Sequence, residues 1–222
     1  MPDRQRAMPT TTPAQAPTTP SLLLYGAVGS GHSYKVRSLL LLSATAHRYQ
    51  CISLDTPRAP RPAAFVAASR FGEVPVLVDE TGGAHCQSNA ILIHLAQHTH
   101  RFGGAPAERG TVVEWLFWES NRIGFSVPNL RFALRWAPQP ADVLDYLRAR
   151  ATADLATLDQ TLASTEFLLP SGPTIADLAC SAYLFWLAET GIAAEDFAHV
   201  ARWLDSLSAL PSWVHPDKAL AP

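Results

Sequence analysis

Two short stretches of this 222-residue chain combine residue types and spacing that suit chemistry. The first, Gly26-Ala27-Val28-Gly29-Ser30-Gly31-His32-Ser33, sets two hydroxyls and an imidazole between an apolar run and a helical one. A serine at a helix start can cap the helix. It can also turn its proton toward a bound thiol, where the dipole and free N–H groups already favour a thiolate. The second stretch runs from Gly72 to Ala96. Ser88 stands where an N-cap belongs, before a helix with Ile91, Leu92, Leu95 and Ala96 on one face. Gln87 and Ser88 therefore sit at a helix N-terminus suited to a carboxylate. Pro75 removes a donor at a strand entry, which leaves Val74 able to pair with a ligand's backbone and makes Val74–Pro75 a candidate cis bond.

The elements that must position these residues can be read from periodicity. Ser21 to Tyr25 is a buried strand, Ser33 opens a helix through Val36, Leu39, Leu40 and Leu42, and His47 to Asp55 is a second strand. Ala63 to Ser69 is a short helix. Val76-Leu77-Val78 and Ala84-His85-Cys86 then form a hairpin around Glu80-Thr81-Gly82-Gly83. The order β-α-β-α-β-β-α over 21–101 is that of a thioredoxin-like layer. Beyond Phe102-Gly103-Gly104 the patterning is helical throughout, so 107–222 is predicted to be an all-α domain. Its strongest helix carries Leu144, Leu147, Ala151, Leu155, Leu158 and Leu162, and Thr111 to Ser126 is another, ended or kinked at Val127 by Pro128. Thr174 and Asp177 have capping-box spacing. Residues 1–20, rich in Pro and Thr, read as a disordered tail.

Composition narrows the classes. A net charge of −2 argues against nucleic-acid or anionic-membrane partners. The apolar runs are too short to span a bilayer. Cys51, Cys86 and Cys180 form no C-x-x-C or metal pattern and fit reduced, cytoplasmic thiols. His94 and His98 are four apart on a helix but lack a third ligand in sequence, so no metal is predicted. The Gly26–Gly31 loop lacks the phosphate-loop pattern, and G-x-S-x-G is absent.

The V-P strand entry, the hairpin and the helix opening Q-S-N-A-I resemble the glutathione-binding half of cytosolic glutathione S-transferases. The loop Ser30-Gly31-His32-Ser33-Tyr34-Lys35-Val36 is similar to that of the serine-type and bacterial members, with no protein thiol where thiol-disulfide oxidoreductases of this fold carry C-x-x-C. The buried S/T-x-x-D box of the helical domain is matched by Thr174 and Asp177. The resemblance implies glutathione as co-substrate, Ser30 as its activator with Ser33 and His32 as alternates, and Val74, Gln87 and Ser88 as its holders. It implies a structural role for Thr174 and Asp177, and a homodimer. It also implies an electrophile pocket between the domains, assigned here to Trp118, Asn121 and Phe125.

The site departs from relatives at Gln87, where bacterial members often have Glu, and at Glu73, where some have Lys or Gln. The glycyl carboxylate is thus left to Lys35, Arg58, Arg61 or Arg70. The expected activity is conjugation of the glutathione thiolate to small hydrophobic electrophiles. Reduction of disulfides or peroxides, isomerisation, and binding without catalysis are the alternatives.

Overall fold

A computed structural model describes residues 22–54 and 60–222. The tail expected over 1–20 lies outside the described residues. The N-terminal part runs β1 (Leu22–Gly26), α1 (Gly31–Leu42), β2 (His47–Cys51), α2 (Ala63–Ala68), β3 (Val76–Val78), β4 (Ala84–Cys86) and α3 (Ser88–Thr99). Its sheet has the order β2-β1-β3-β4, with β2 parallel to β1 and β3 and β4 antiparallel to their neighbours. Side chains alternate across a strand. Accordingly Leu22 and Leu24 of β1 join the main core, while Tyr25 packs on the other face with Ile52, Phe65 and Val76. Burial on both faces explains why β1 reads as an unbroken apolar run.

The second part is helical: α4 (Arg109–Asn121), α5 (Ile123–Arg135), α6 (Ala141–Leu162), α7 (Ile175–Ser181), α8 (Ala198–Ser208) and α9 (Pro216–Ala219), with short 3-10 turns between. Leu147, Ala151, Leu155, Leu158 and Leu162 form the buried stripe of α6. Thr174 and Asp177 close their capping box. Asp177 Oδ2 accepts from Thr174 N at 2.8 Å, and Oδ1 accepts from Leu168 N at 2.9 Å and Trp203 Nε1 at 3.0 Å. Burial raises the Asp177 pKa against the lowering effect of these donors.

Three boundaries differ from the sequence expectation. β2 ends at Cys51 rather than Asp55, because Ile52 turns in to the second core cluster while its N–H still bonds Gly26 O at 2.7 Å. α1 begins at Gly31, with Ser30 as its cap, rather than at Ser33. The long helix breaks at Arg122, not at Pro128. Arg122 leaves helical geometry (φ −120, ψ −101), and its Nε donates to Asp154 Oδ1 at 2.8 Å while Ser126 Oγ donates to Oδ2. The buried Asp154 carboxylate, from α6, sits beside the first turn of α5, where the dipole favours it. Pro128 is absorbed inside α5, where the carbonyl it leaves unpaired belongs to Gly124, four residues back.

Candidate functional site

The loop after β1 builds a directed chain of hydrogen bonds. Ser33 is fully buried, and its Oγ accepts from Ala27 N at 3.3 Å and donates to Ser30 Oγ at 3.1 Å. Ser30 Oγ also accepts from Ser33 N at 3.2 Å, as the N-cap of α1. A hydroxyl has two acceptor positions and one proton. With both acceptor positions filled, the Ser30 proton is left for the cleft that Ser30 lines. Each donor polarises the next, which strengthens the last one.

His32, two residues on, lies half-buried with its ring edge-on to Tyr183 at 5.1 Å. Its Nδ1 is buried without a partner among the described residues. Burial first, and then the Lys35 ammonium, push its pKa down to about 4 against the opposing pull of Glu119. The imidazole is thus neutral at physiological pH.

The helical domain closes over this loop. The Tyr183 ring lies against Gly31, where a Cβ would overlap it. Burial raises the Tyr183 pKa, and the His32 backbone, the Arg131 charge, the Ser30 side chain and the Gly31 backbone each pull it back down. Arg131 of α5 is buried, donates from Nη1 to Gly29 O at 2.7 Å and from Nε to Glu189 Oε2 at 2.6 Å, and lies over the Trp186 ring at 4.5 Å.

The opposite wall is made of backbone. The Val74–Pro75 bond is cis. Gln87 rather than Ser88 is the N-cap of α3, at φ 69 and ψ 113, and its side chain makes no capping bond. A non-glycine residue held at positive φ stores about 1–3 kcal/mol of strain. Among the described residues the first-turn N–H groups of α3 have no side-chain partner. Ser88, the first helical residue, lines the cleft with Gln87, Asn89 and Ala90, and Gln87 Nε2 reaches Glu73 Oε2 at 3.4 Å.

Beneath this wall a buried polar network joins the two domains. Lys35 Nζ of α1 lies 2.9 Å from Glu119 Oε1 of α4 and donates to Asn89 Oδ1 of α3 at 2.9 Å. Asn89 Nδ2 donates to Glu119 Oε2 and to Leu116 O, each at 2.8 Å. Lys35 is consumed there and cannot serve a ligand's carboxylate. Of the other cations considered, Arg58 lies outside the described residues and Arg70 sits over the Phe71 ring. Arg61 lines the cleft, with Nη1 on Gly72 O at 3.2 Å and Nε without a partner among the described residues.

The cleft measures about 1740 Å³, beyond the roughly 300–1,000 Å³ of ordinary small-molecule pockets. It has room for a tripeptide and a second reactant. Its helical wall is formed by Val113, Phe117 and Ser120 of α4 and by Phe125, Phe132 and Trp136 at α5. Of the three residues assigned from sequence, only Phe125 lines it. Trp118 packs edge-on to Trp115 at 5.2 Å against the core, and Asn121 turns its carbonyl to Arg150. The reason is helical phase: 113, 117 and 120 share a face, whereas 118 lies about 100° round from 117. Phe117 was legible in the same aromatic stretch, one residue away. Arg131 and Tyr183 carry no local signal, since each meets the loop across more than a hundred residues of chain.

A thioredoxin-like layer with a helical domain folded over its first loop places a hydroxyl and a helix start on one cleft, and this two-domain architecture defines the class of protein. The profile of the glutathione S-transferase N-terminal domain matches residues 29–98, and that of the C-terminal domain matches residues 122–211. A glutathione S-transferase structure from Xanthobacter autotrophicus Py2 superposes with a TM-score of 0.78 at 32% identity, covering 87% of this chain and 96% of the other. This chain belongs to the glutathione S-transferase family. It is also similar to glutathione S-transferase F10 of Arabidopsis thaliana, at 26% identity over 80% of this chain and 88% of that protein. Similarity to the disulfide-bond oxidoreductase YfcG of Escherichia coli K12 is 24% identity over 86% of this chain and 91% of that one.

Proposed function

We propose that this protein is a glutathione transferase that adds the tripeptide's thiolate to small hydrophobic electrophiles. The observation that carries the reading is the Ser30 hydroxyl, whose two acceptor positions are filled from Ser33 and whose proton is left for the cleft. In this reading the thiol gives its proton to solvent, and Ser30, supported by the α1 N-terminus, donates a hydrogen bond to the thiolate. Lowering a thiol pKa by ~2 units from about 8.5–9 requires ~2.7 kcal/mol, within the range of one charge-assisted hydrogen bond and a helix dipole. Ser33, fully buried, acts by orienting Ser30. His32 is neutral and the Tyr183 ring packs against Gly31, so both hold the loop. Arg131 ties the loop carbonyl of Gly29.

The γ-glutamyl carboxylate falls to Gln87, Ser88 and the free N–H groups of α3, the cysteinyl backbone to Val74, and the glycyl carboxylate to Arg61. The sulfur then attacks an electrophilic carbon. A C–S bond forms, and the leaving group departs with its electron pair. The aromatic wall of Phe117, Phe125 and Phe132 favours an apolar partner. We assign the protein to the cytoplasm, where glutathione is reduced, and to a homodimer, as the family resemblance implies.

A second reading is favoured by one relative, the E. coli disulfide-bond oxidoreductase. The same bound thiolate attacking a disulfide sulfur would give glutathione-dependent reduction. The product's mass separates the two: a thioether for conjugation, a glutathione disulfide for reduction.

The test is the ultraviolet absorbance of bound glutathione thiolate across pH. Wild type should form thiolate well below the free thiol's pKa, and Ser30→Ala should not. Equal ionisation in both proteins would refute Ser30 as activator, and absence of glutathione binding would refute the enzyme reading altogether.

A further inference from the structure

Outside the cleft, the fold assembles a cluster that has no part in glutathione chemistry. Asp79 directly follows β3, His85 lies in β4 and His94 lies on α3. One ligand-capable atom from each of the three falls within 4.8 Å of the others. His85 Nε2 is 2.8 Å from Asp79 Oδ2, and the His85 and His94 rings stack at 4.0 Å with an angle of 25° between their planes. His98, one turn along α3, continues the row at 6.4 Å from His94, and its Nε2 is 3.8 Å from Glu80 Oε1. None of these residues lines the cleft.

The carboxylate is already oriented. Asp79 Oδ1 accepts from Thr81 N at 2.9 Å, Thr81 Oγ1 at 2.6 Å and Gly83 N at 2.8 Å, which leaves Oδ2 directed at the imidazoles. A Cβ at Gly83 would strike that carboxylate, so the turn residue has to be small for Asp79 to take this position. Such outer bonds are what hold metal ligands in place. The side chains of His85 and Asp79 are 31% and 15% exposed, open enough for an ion to enter. Zinc bond lengths of about 2.0–2.2 Å at tetrahedral angles set ligand atoms about 3.3 Å apart. Loading an ion therefore turns the two stacked imidazoles so that their nitrogens converge with Asp79 Oδ2.

The geometry points to a divalent transition-metal site formed by Asp79, His85 and His94, with a fourth position open to water or His98. Two imidazoles and one carboxylate suit zinc or copper(II) and are a poor set for calcium or magnesium, which take all-oxygen shells. A bound ion would pin the β3–β4 hairpin to α3, two residues before Gln87. It would therefore stabilise the wall that presents Gln87 and Ser88, by mass action on the folded state.

The experiment is calorimetric titration of the full, tag-free, reduced chain with zinc chloride, paired with electron paramagnetic resonance of the protein carrying one equivalent of copper(II). Expected are one saturable zinc site and copper hyperfine structure from two imidazole nitrogens. His85→Ala and His94→Ala should each weaken zinc by at least about tenfold, the scale on which even outer-shell changes act, and leave one nitrogen on copper. His98→Ala should have a smaller effect. No saturable zinc binding would overturn the site. So would binding unchanged in both variants with sulfur-ligated copper, which would place the metal on Cys51 or Cys86 instead.

Discussion

The two walls of the cleft are built on different principles. The N-terminal wall is made of local features, with a cis proline turn, an uncapped helix start and a serine cap, each fixed by a few neighbouring residues. The helical wall is made of side chains from α4, α5 and the segment around Tyr183, brought together only by packing. Between them lies the Lys35–Asn89–Glu119 network, in which every member comes from a different helix. Recognition of a constant peptide calls for fixed backbone geometry, whereas a variable second substrate is met by side chains that can change without disturbing the fold.

The largest effect should come from breaking the joint between the walls. Lys35→Met leaves the Glu119 carboxylate buried and unpaired, and a loss of about 3–5 kcal/mol in urea unfolding is expected. Glu119→Gln should cost a similar amount, while Lys35→Met with Glu119→Leu together should recover most of it. Full additivity of the two single losses would show that the pair is not coupled.

Ser30→Ala attacks the local wall alone. Losing the Ser30 share of about 2.7 kcal/mol of thiolate stabilisation should lower the rate at neutral pH by about tenfold to a hundredfold, with urea stability changed far less than by Lys35→Met. A rate loss that tracks loss of folded protein would argue for a structural serine.

His32 ties the loop to pH. Its folded pKa of about 4 lies below the 6.5 of the free group. Between those values the unfolded chain binds a proton that the folded chain refuses. The stability it contributes is complete above about pH 6.5 and is lost as pH falls toward about 4, a total of order 3 kcal/mol. His32→Asn should flatten that decline in melting temperature, and an unchanged slope would show that the ring is not buried as described.

The smallest effect separates two adjacent aromatics. Phe117→Ala should raise KM for an apolar electrophile severalfold, about 1 kcal/mol, with glutathione affinity unchanged. Trp118→Ala should lower stability and leave KM alone. The reverse result would return the pocket to the Trp118 face.

The differing success of sequence reasoning follows the same division. Gln87 and Ser88 were legible at a helix start because caps and turns are encoded within a few residues. Even so, the cap is Gln87 and the first helical residue Ser88, since backbone strain at Gln87 leaves no trace in residue type. Trp118 and Asn121 were misplaced because an aromatic-rich helix gives no phase until its buried side is known. The His94–His98 pair looked ligand-poor for a related reason. The third and fourth groups, Asp79 and His85, are brought to it by the hairpin and not by helical spacing.

The sequence by itself determined the order of strands and helices, the capping boxes, the hydroxyl-bearing loop and the helix start that faces it. All of these are set by periodicity and by hydrogen bonds between near neighbours. Only the tertiary structure decided that Ser33 points its proton at Ser30, that Tyr183 and Arg131 close over the loop, that Lys35 is paired rather than available, and which face of α4 meets the cleft. Those outcomes depend on which distant surfaces exclude water from one another, and a burial partner a hundred residues away leaves no local mark on the chain it covers.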